Sequence, residues 1–163
     1  MSATAEIQVL PTVVLRPPAG LINDKRKDGW ELLEDTPIEG APELLFAGFL
    51  RDGEDYVKGD VMFERAVELG NRAGQQHAER LLAQQKSIPN ELRKFHLVFP
   101  GTKWRDSGGH PGYLFVPCLN GSGYMWELSW YWLGDVWNSR FRLVRYNYKS
   151  SFNIGLSPQS SGF

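Results

Sequence analysis

The sequence predicts an α+β fold: a central helical hairpin packed on a C-terminal antiparallel β-meander or small half-open barrel, preceded by an N-terminal irregular strand region. Three observations predict it. Apolar residues recur at spacings of three and four from Met62 to Leu82. From Phe95 onward the period changes to two. Four of the six tryptophans fall within residues 123–137, in a chain whose aromatic share is 13%.

The elements follow in order. Residues 1–5 read as frayed. Residues 7–18 carry β-branched side chains, but Pro11, Pro17 and Pro18 confine them to an edge strand or an extended arm. Asp28-Gly29 signals a turn, after which Trp30, Leu32 and Leu33 begin a strand. "ELLFAGFL" (43–50) has strand length and ends at the turn "RDGED", with Tyr56-Val57 as the return of a hairpin. Asp60 reads as the N-cap of the helical stretch, whose stripe is Met62, Ala66, Leu69, Ala73, His77 and Leu81, widened by Ala78 and Leu82. Gly70 and Gly74 mark either a break into two helices or a close approach of another backbone. "SIPNELRKF" (87–95) is a further short helix with Pro89 in its first turn.

The strand region begins with "FHLVF" (95–99), closed by Pro100-Gly101, and "WRDSGGHPG" (104–112) is a loop. "YLFVPCL" (113–119) is a strand whose proline points to an edge or a bulge. "NGSG" (120–123) is a hairpin turn, "YMWELSWYWL" (124–133) the next strand, and residues 136–146 its return. The tail 153–163 is rich in Ser, Gly and Pro and reads as loose. At 163 residues the chain fits one compact unit, described as 1–58 and 59–163.

Composition excludes some functions. The net charge of −1 drives neither nucleic-acid nor membrane association. Charge is uneven: residues 31–64 hold ten acids and two bases, while residues 136–163 hold four bases and no acid. The two regions either face each other or lie solvated; a basic patch for an anionic partner is the alternative. Cys118 is the only cysteine, which rules out an intrachain disulfide and fits a reducing compartment. The N-terminus lacks the pattern of a signal peptide, and no apolar run reaches the ~18 residues of a membrane span. The cytoplasm is the expected location.

On an extended strand Tyr124, Trp126, Leu128, Trp130 and Trp132 share one face. That face is either core for the helix stripe or a platform that grips a partner. Trp126 and Trp130 are expected inside, Trp104 and Trp137 partly exposed near loops. The expected function is a non-enzymatic binding or protein-interaction module. Trp104, Tyr131 and Trp137 are its anchors, Arg140 and Arg142 its polar margin, and another protein its partner. Single-stranded nucleic acid is an alternative that these aromatic and Arg residues suggest.

Chemical motifs are sparse. "DSGG" (106–109) resembles the stretch around the nucleophile of trypsin-like serine proteases, which would make Ser107 the nucleophile. The context departs from that family: Arg105 stands where the family has glycine, and His110 displaces its proline. A hydrolase built on the Asp106–His110 loop is the enzymatic alternative. Cys118 with His110 is a second candidate pair, set against a cysteine inside an apolar strand. His77, His96, His110 and Cys118 match no zinc spacing, and the acids of residues 52–60 lack the order of a calcium loop, so no metal or cofactor is expected.

The run "LVFPGTKWRDSGG…YLFVPCL…WELSWYWLGDVWNSRFRLVR" resembles the C-terminal module of small uncharacterised bacterial proteins, which pair a short helical segment with Trp-rich strands. The resemblance covers roughly residues 60–146. It implies a bacterial or phage accessory protein and brings no activity, ligand or site residue with it.

Overall fold

Neighbouring residues on the central strands point into different cores. Leu97 and Val98, Cys118 and Leu119, and Leu143 and Val144 are all fully buried, and each pair divides between two apolar clusters. Adjacent strand residues face opposite sides of a sheet. The sheet is therefore covered on both faces, which is why these segments read as unbroken apolar runs.

The computed structural model describes residues 8–9 and 20–148. The expectations for residues 1–5, for the tail 153–163 and for most of the N-terminal arm lie outside the described residues. Ten strands and two α-helices are described: β1 (Gln8–Val9), β2 (Glu31–Glu34), β3 (Glu43–Ala47), β4 (Tyr56–Lys58), α1 (Gly59–Leu69), α2 (Gln75–Ala83), β5 (His96–Val98), β6 (Lys103–Arg105), β7 (Leu114–Ser122), β8 (Met125–Trp132), β9 (Val136–Asn138) and β10 (Phe141–Asn147). The chain is a mixed, strand-dominated α/β protein.

β7 is the hub of the main sheet. β8 runs antiparallel along one edge of it, while β5 and β6 share the other edge end to end. From β5 the sheet continues through β10 and β3 to β1; from β6 it continues to β2. Pro117 sits in the gap between β5 and β6. Its missing N–H would have met the Phe99 carbonyl, since Phe99 N–H donates to the Pro117 oxygen at 2.9 Å. A central strand thus tolerates a proline because its ladder is already interrupted there.

The first core lies under α2 and contains Phe46, Ala78, Leu81, Leu97, Phe99, Leu119, Trp126 and Val144. The second lies on the opposite face, under α1 and the separate β4–β9 pair, and contains Met62, Ala66, Val98, Val116, Cys118, Trp137 and Leu143. The helices thus cover different faces instead of forming a hairpin. The chain between them turns at Gly70 (φ 76°) and Asn71 (φ 49°). It then runs beside β10, with Ala73 N–H donating to Val144 and Tyr146 N–H to Asn71. Gly74 is also a close approach, for a Cβ there would stand 2.6 Å from the Thr36 carbonyl oxygen. Of the two readings, the break holds at Gly70, which has open space around it, and the close approach at Gly74.

Other expectations are corrected. No C-terminal meander continues past β8: β9 pairs with β4, and β10 pairs antiparallel with β3 and parallel with β5. Trp137 and Phe141 enter the second core, and this carries the chain across that face instead of back along β8. The residue 43–50 hairpin is absent for the same reason, its return strand β4 being taken by β9. The β7–β8 turn is Gly123-Tyr124, because Ser122 pairs with Met125. Asp60 lies inside the first turn of α1, where its carboxylate accepts the Val61 N–H; the N-cap position is Lys58. The segment after Ser87 forms a 3₁₀ turn, Asn90–Lys94, with Pro89 just before it.

Candidate functional site

The expected anchors do not form a surface. Trp104 lies on β6 and is fully buried, its indole N–H donating to Gln75 Oε1 at 2.8 Å. The loop expected at residue 104 is a strand because Lys103–Arg105 pairs with β7 on one side and β2 on the other. Trp137 is buried against Phe141, with ring centres 4.6 Å apart. Of the pair expected inside, Trp126 is buried and Trp130 half-buried. Tyr131 is half-buried among polar neighbours: its hydroxyl donates to Asn120 Oδ1 at 3.0 Å, which His96 Nδ1 also meets at 2.6 Å. Burial holds the Tyr131 phenol above its ordinary pKa. Arg140 is exposed, and Arg142 lies 3.9 Å over the Phe95 ring while donating to the Ser139 carbonyl.

The residues of the "DSGGHPG" stretch hold a loop. The Asp106 carboxylate accepts the Gly108 N–H at 2.7 Å and the His110 N–H at 3.0 Å, and these bonds lower its pKa. Ser107 donates its hydroxyl to the Gly29 carbonyl. His110 Nδ1 is 3.9 Å from Asp106. Cys118 is sealed in the second core, where burial pushes its thiol pKa well up. A thiolate nucleophile needs the opposite environment.

What this loop presents is Tyr113. Its backbone is tied to the turn at both ends, with Tyr113 N–H donating to His110 and its carbonyl accepting from Asp106. The Tyr113 ring stacks on Trp132 with centres 4.6 Å apart and planes 10° apart, and His110 stacks on its other side at 5.1 Å. Stacked pairs of this kind contribute roughly 0.5–1.5 kcal/mol beyond their buried area. The other side of Trp132 rests on Gly134, where a Cβ would come within 2.2 Å of the indole. Tyr113 and Trp132 nevertheless stay 38% and 40% exposed.

This ladder borders a cleft of about 570 Å³, within the ordinary size range of ligand pockets. Leu114 and Leu133 line its floor, and Lys58 and Asp60 stand at the start of α1 on its far wall. That wall is fixed by Gly59, whose Cα lies so close to the Leu133 carbonyl that a Cβ would be 1.7 Å from the oxygen. The opening is apolar and aromatic, with one charge of each sign at the rim. Sequence reasoning placed Trp132 on the strand face and left Tyr113 as the first residue of a strand. The signal for their meeting is the pair of glycine-containing turns, "GGHPGY" and "LGD", one entering β7 and one leaving β8 at the open end of the hairpin.

A second cluster supports the hairpin from beneath. Gln75, fully buried at the start of α2, accepts the Trp104 indole N–H and also that of Trp130, at 3.2 Å. Its amide donates to the Asn23 carbonyl at 2.7 Å and to Glu79 at 3.1 Å. The Glu79 carboxylate also accepts the Ile22 and Asn23 N–H groups at 2.9 and 2.7 Å. Lys25 lies over both Trp30 and Trp130. A buried carboxylate is tolerable because these donors replace its hydration.

Among the described residues no group of three or more His, Cys, Asp or Glu is placed to hold a metal ion, and no helix is long and apolar enough to cross a membrane. The chain matches no family model, no curated protein and no solved structure.

Proposed function

We propose that the chain is a non-enzymatic protein-interaction module whose contact surface is the Tyr113–Trp132 cleft. The observation that carries this reading is a stacked aromatic pair left more than a third exposed beside an apolar hollow. Aromatic rings held rigidly by their own framework give large contact area at little entropic cost, which suits them as anchors. Glycine contacts and the Asp106 turn hold these rings in place before any partner arrives. Lys58 and Asp60 at the rim supply orientation. Trp104 and Trp137 are not proposed as anchors, since both are sealed.

A photoreactive phenylalanine analogue at position 113, in the full chain, tests this in extract of the native host. The expected result is a discrete covalent protein adduct absent when the analogue replaces Arg140. Gly134→Ala, which displaces the Trp132 ring, should abolish the adduct while the melting temperature changes by no more than about 4 °C. An identical adduct pattern at 113 and 140 would refute the reading, as would a Trp132→Ala variant as destabilised as Trp104→Ala.

A further inference from the structure

Among the described residues β8 is an edge strand that pairs with β7 alone, in an unbroken register from Trp132 opposite Phe115 to Met125 opposite Ser122. The direction of its free groups follows from two bonds. Leu133 N–H donates to the Leu114 carbonyl at 2.8 Å, so odd-numbered residues of β8 point their amides at β7. Even-numbered residues point theirs away, and Trp126 N–H accordingly leaves the sheet to reach Gln85 Oε1 at 2.8 Å. Leu128, Trp130 and Trp132 remain. Their outward N–H groups have no hydrogen-bond partner among the described residues.

Natural edges are blunted by lysine, proline, bulges or a covering segment. β8 has no lysine or proline, its register has no bulge, and its one charged residue is Glu127. The three open residues are symmetric about Trp130, and Trp126, the next outward residue, is already capped from within. We infer that the free edge of β8 pairs antiparallel with β8 of a second copy of this chain, on a two-fold axis at Trp130. Leu128 then faces Trp132 of the second copy, whose carbonyl accepts the Leu128 N–H as well as its own chain's Asp135 N–H at 3.3 Å, and the three outward N–H groups of each strand are used. Glu127 falls opposite Leu133, so no like charges meet. The ends also match. Tyr124 is 99% exposed and Met125 60% exposed at one end of the strand, and both arrive beside the half-exposed Trp132 end of the other copy. A two-fold pairing of one surface with itself is the commonest form of closed association.

This inference uses the backbone of Trp132, whereas the proposed cleft uses its ring. Sedimentation equilibrium of the full chain should give twice the chain mass, with dissociation on dilution. Backbone hydrogen exchange should show the amides of Leu128, Trp130 and Trp132 slowing as concentration rises, while those of Ser129 and Tyr131 stay protected throughout. Leu128→Pro removes an N–H that points off the sheet, a position where an edge strand accepts proline. It should raise the dissociation constant about tenfold or more. If that variant fails to fold, the exchange pattern of the unmodified chain decides. A monomer at the highest soluble concentration overturns the inference, as does a dimer whose three outward amides exchange freely. Tyr113→Ala should leave the dimer intact, which separates failure here from failure of the cleft as a binding surface.

Discussion

Gln75→Leu should destabilise the protein by about 2–4 kcal/mol. The substitution keeps the side-chain volume close and removes both ends of the amide. Trp104 is fully buried, so its indole N–H loses its only partner and finds no water, a cost of about 1–3 kcal/mol. Trp130 is half-buried, and its N–H regains most of its bonding from solvent. Glu79 retains the Ile22 and Asn23 donors, so the loss on that side is small, about one net hydrogen bond to the Asn23 carbonyl. At roughly 2–4 °C per kcal/mol for a chain of this size, the melting temperature should fall by about 5–15 °C. Thermal and urea unfolding measure both quantities.

The bond itself is isolated by a double-mutant cycle with Trp104→Phe. Once the indole N–H is gone, Gln75→Leu orphans nothing on that side, so the double variant should be milder than the sum of the singles by about 1–2 kcal/mol. Additivity within about 0.5 kcal/mol would refute the reasoning, because coupled partners do not add. Trp137 supplies the contrast. Its buried Nε1 has no hydrogen-bond partner among the described residues, so Trp137→Phe orphans no described group and should cost about 1 kcal/mol less than Trp104→Phe.

Two further outcomes follow from close contacts. His77 Nδ1 accepts the Gly74 N–H at 3.0 Å, and burial, with the nearby Arg80 charge second, lowers its pKa from 6.5 to about 4. The unfolded chain then binds the proton first, so stability is full above pH 6.5 and falls as pH drops toward 4, by up to about 3 kcal/mol. Asp35, whose pKa is raised chiefly by burial, acts in the opposite sense, while Glu54, which its Arg65 partner holds down at about 2, acts in the same sense at the acid end; His77→Phe should leave only these residual slopes in urea titrations across this window. Gly59→Ala should cost about 2 kcal/mol or more, because its Cβ would stand 1.7 Å from the Leu133 oxygen and must push α1 off the β8–β9 turn; a cost near that of an exposed helix position would refute the contact.

How far the sequence is legible depends on the range of the interaction that fixes each element. The strand character from residue 95 onward, the β7–β8 hairpin and the break near Gly70 rest on neighbours a few residues apart, and the sequence shows them; the expected single helix stripe divides, with Met62 and Ala66 in the second core, Ala73, Ala78 and Leu81 in the first, and Leu69 exposed. The partners of β4, β9 and β10 rest on residues 45–104 positions away. Nothing within residues 136–146 distinguishes a return along β8 from a crossing to β3. Trp104 and Trp137 were misplaced for a related reason. A tryptophan beside a turn signal looks exposed, but Gln75 and the β4–β9 cover that bury these two come from distant segments. Pro117 misled in the other direction, because an edge strand and a split ladder both tolerate a missing N–H.

Covering the sheet on both faces decides where interaction is possible. A one-sided sheet could present its aromatic face, and Trp126 or Trp130 would then be available. Here α2 takes one face and α1 with β4–β9 takes the other, so ring faces in mid-strand are committed to packing. On the β7–β8 hairpin, large apolar groups stay exposed where strands stop or pairing stops: Tyr113 and Trp132 at one end, Tyr124 and Met125 at the other, and the outer edge of β8 between them. The proposed interaction role therefore divides the aromatic content near the carboxyl end by position along the strand and not by face. Interior rings set stability, so their loss lowers the melting temperature. Terminal rings add less to it, and on the proposed function their loss should register chiefly in association.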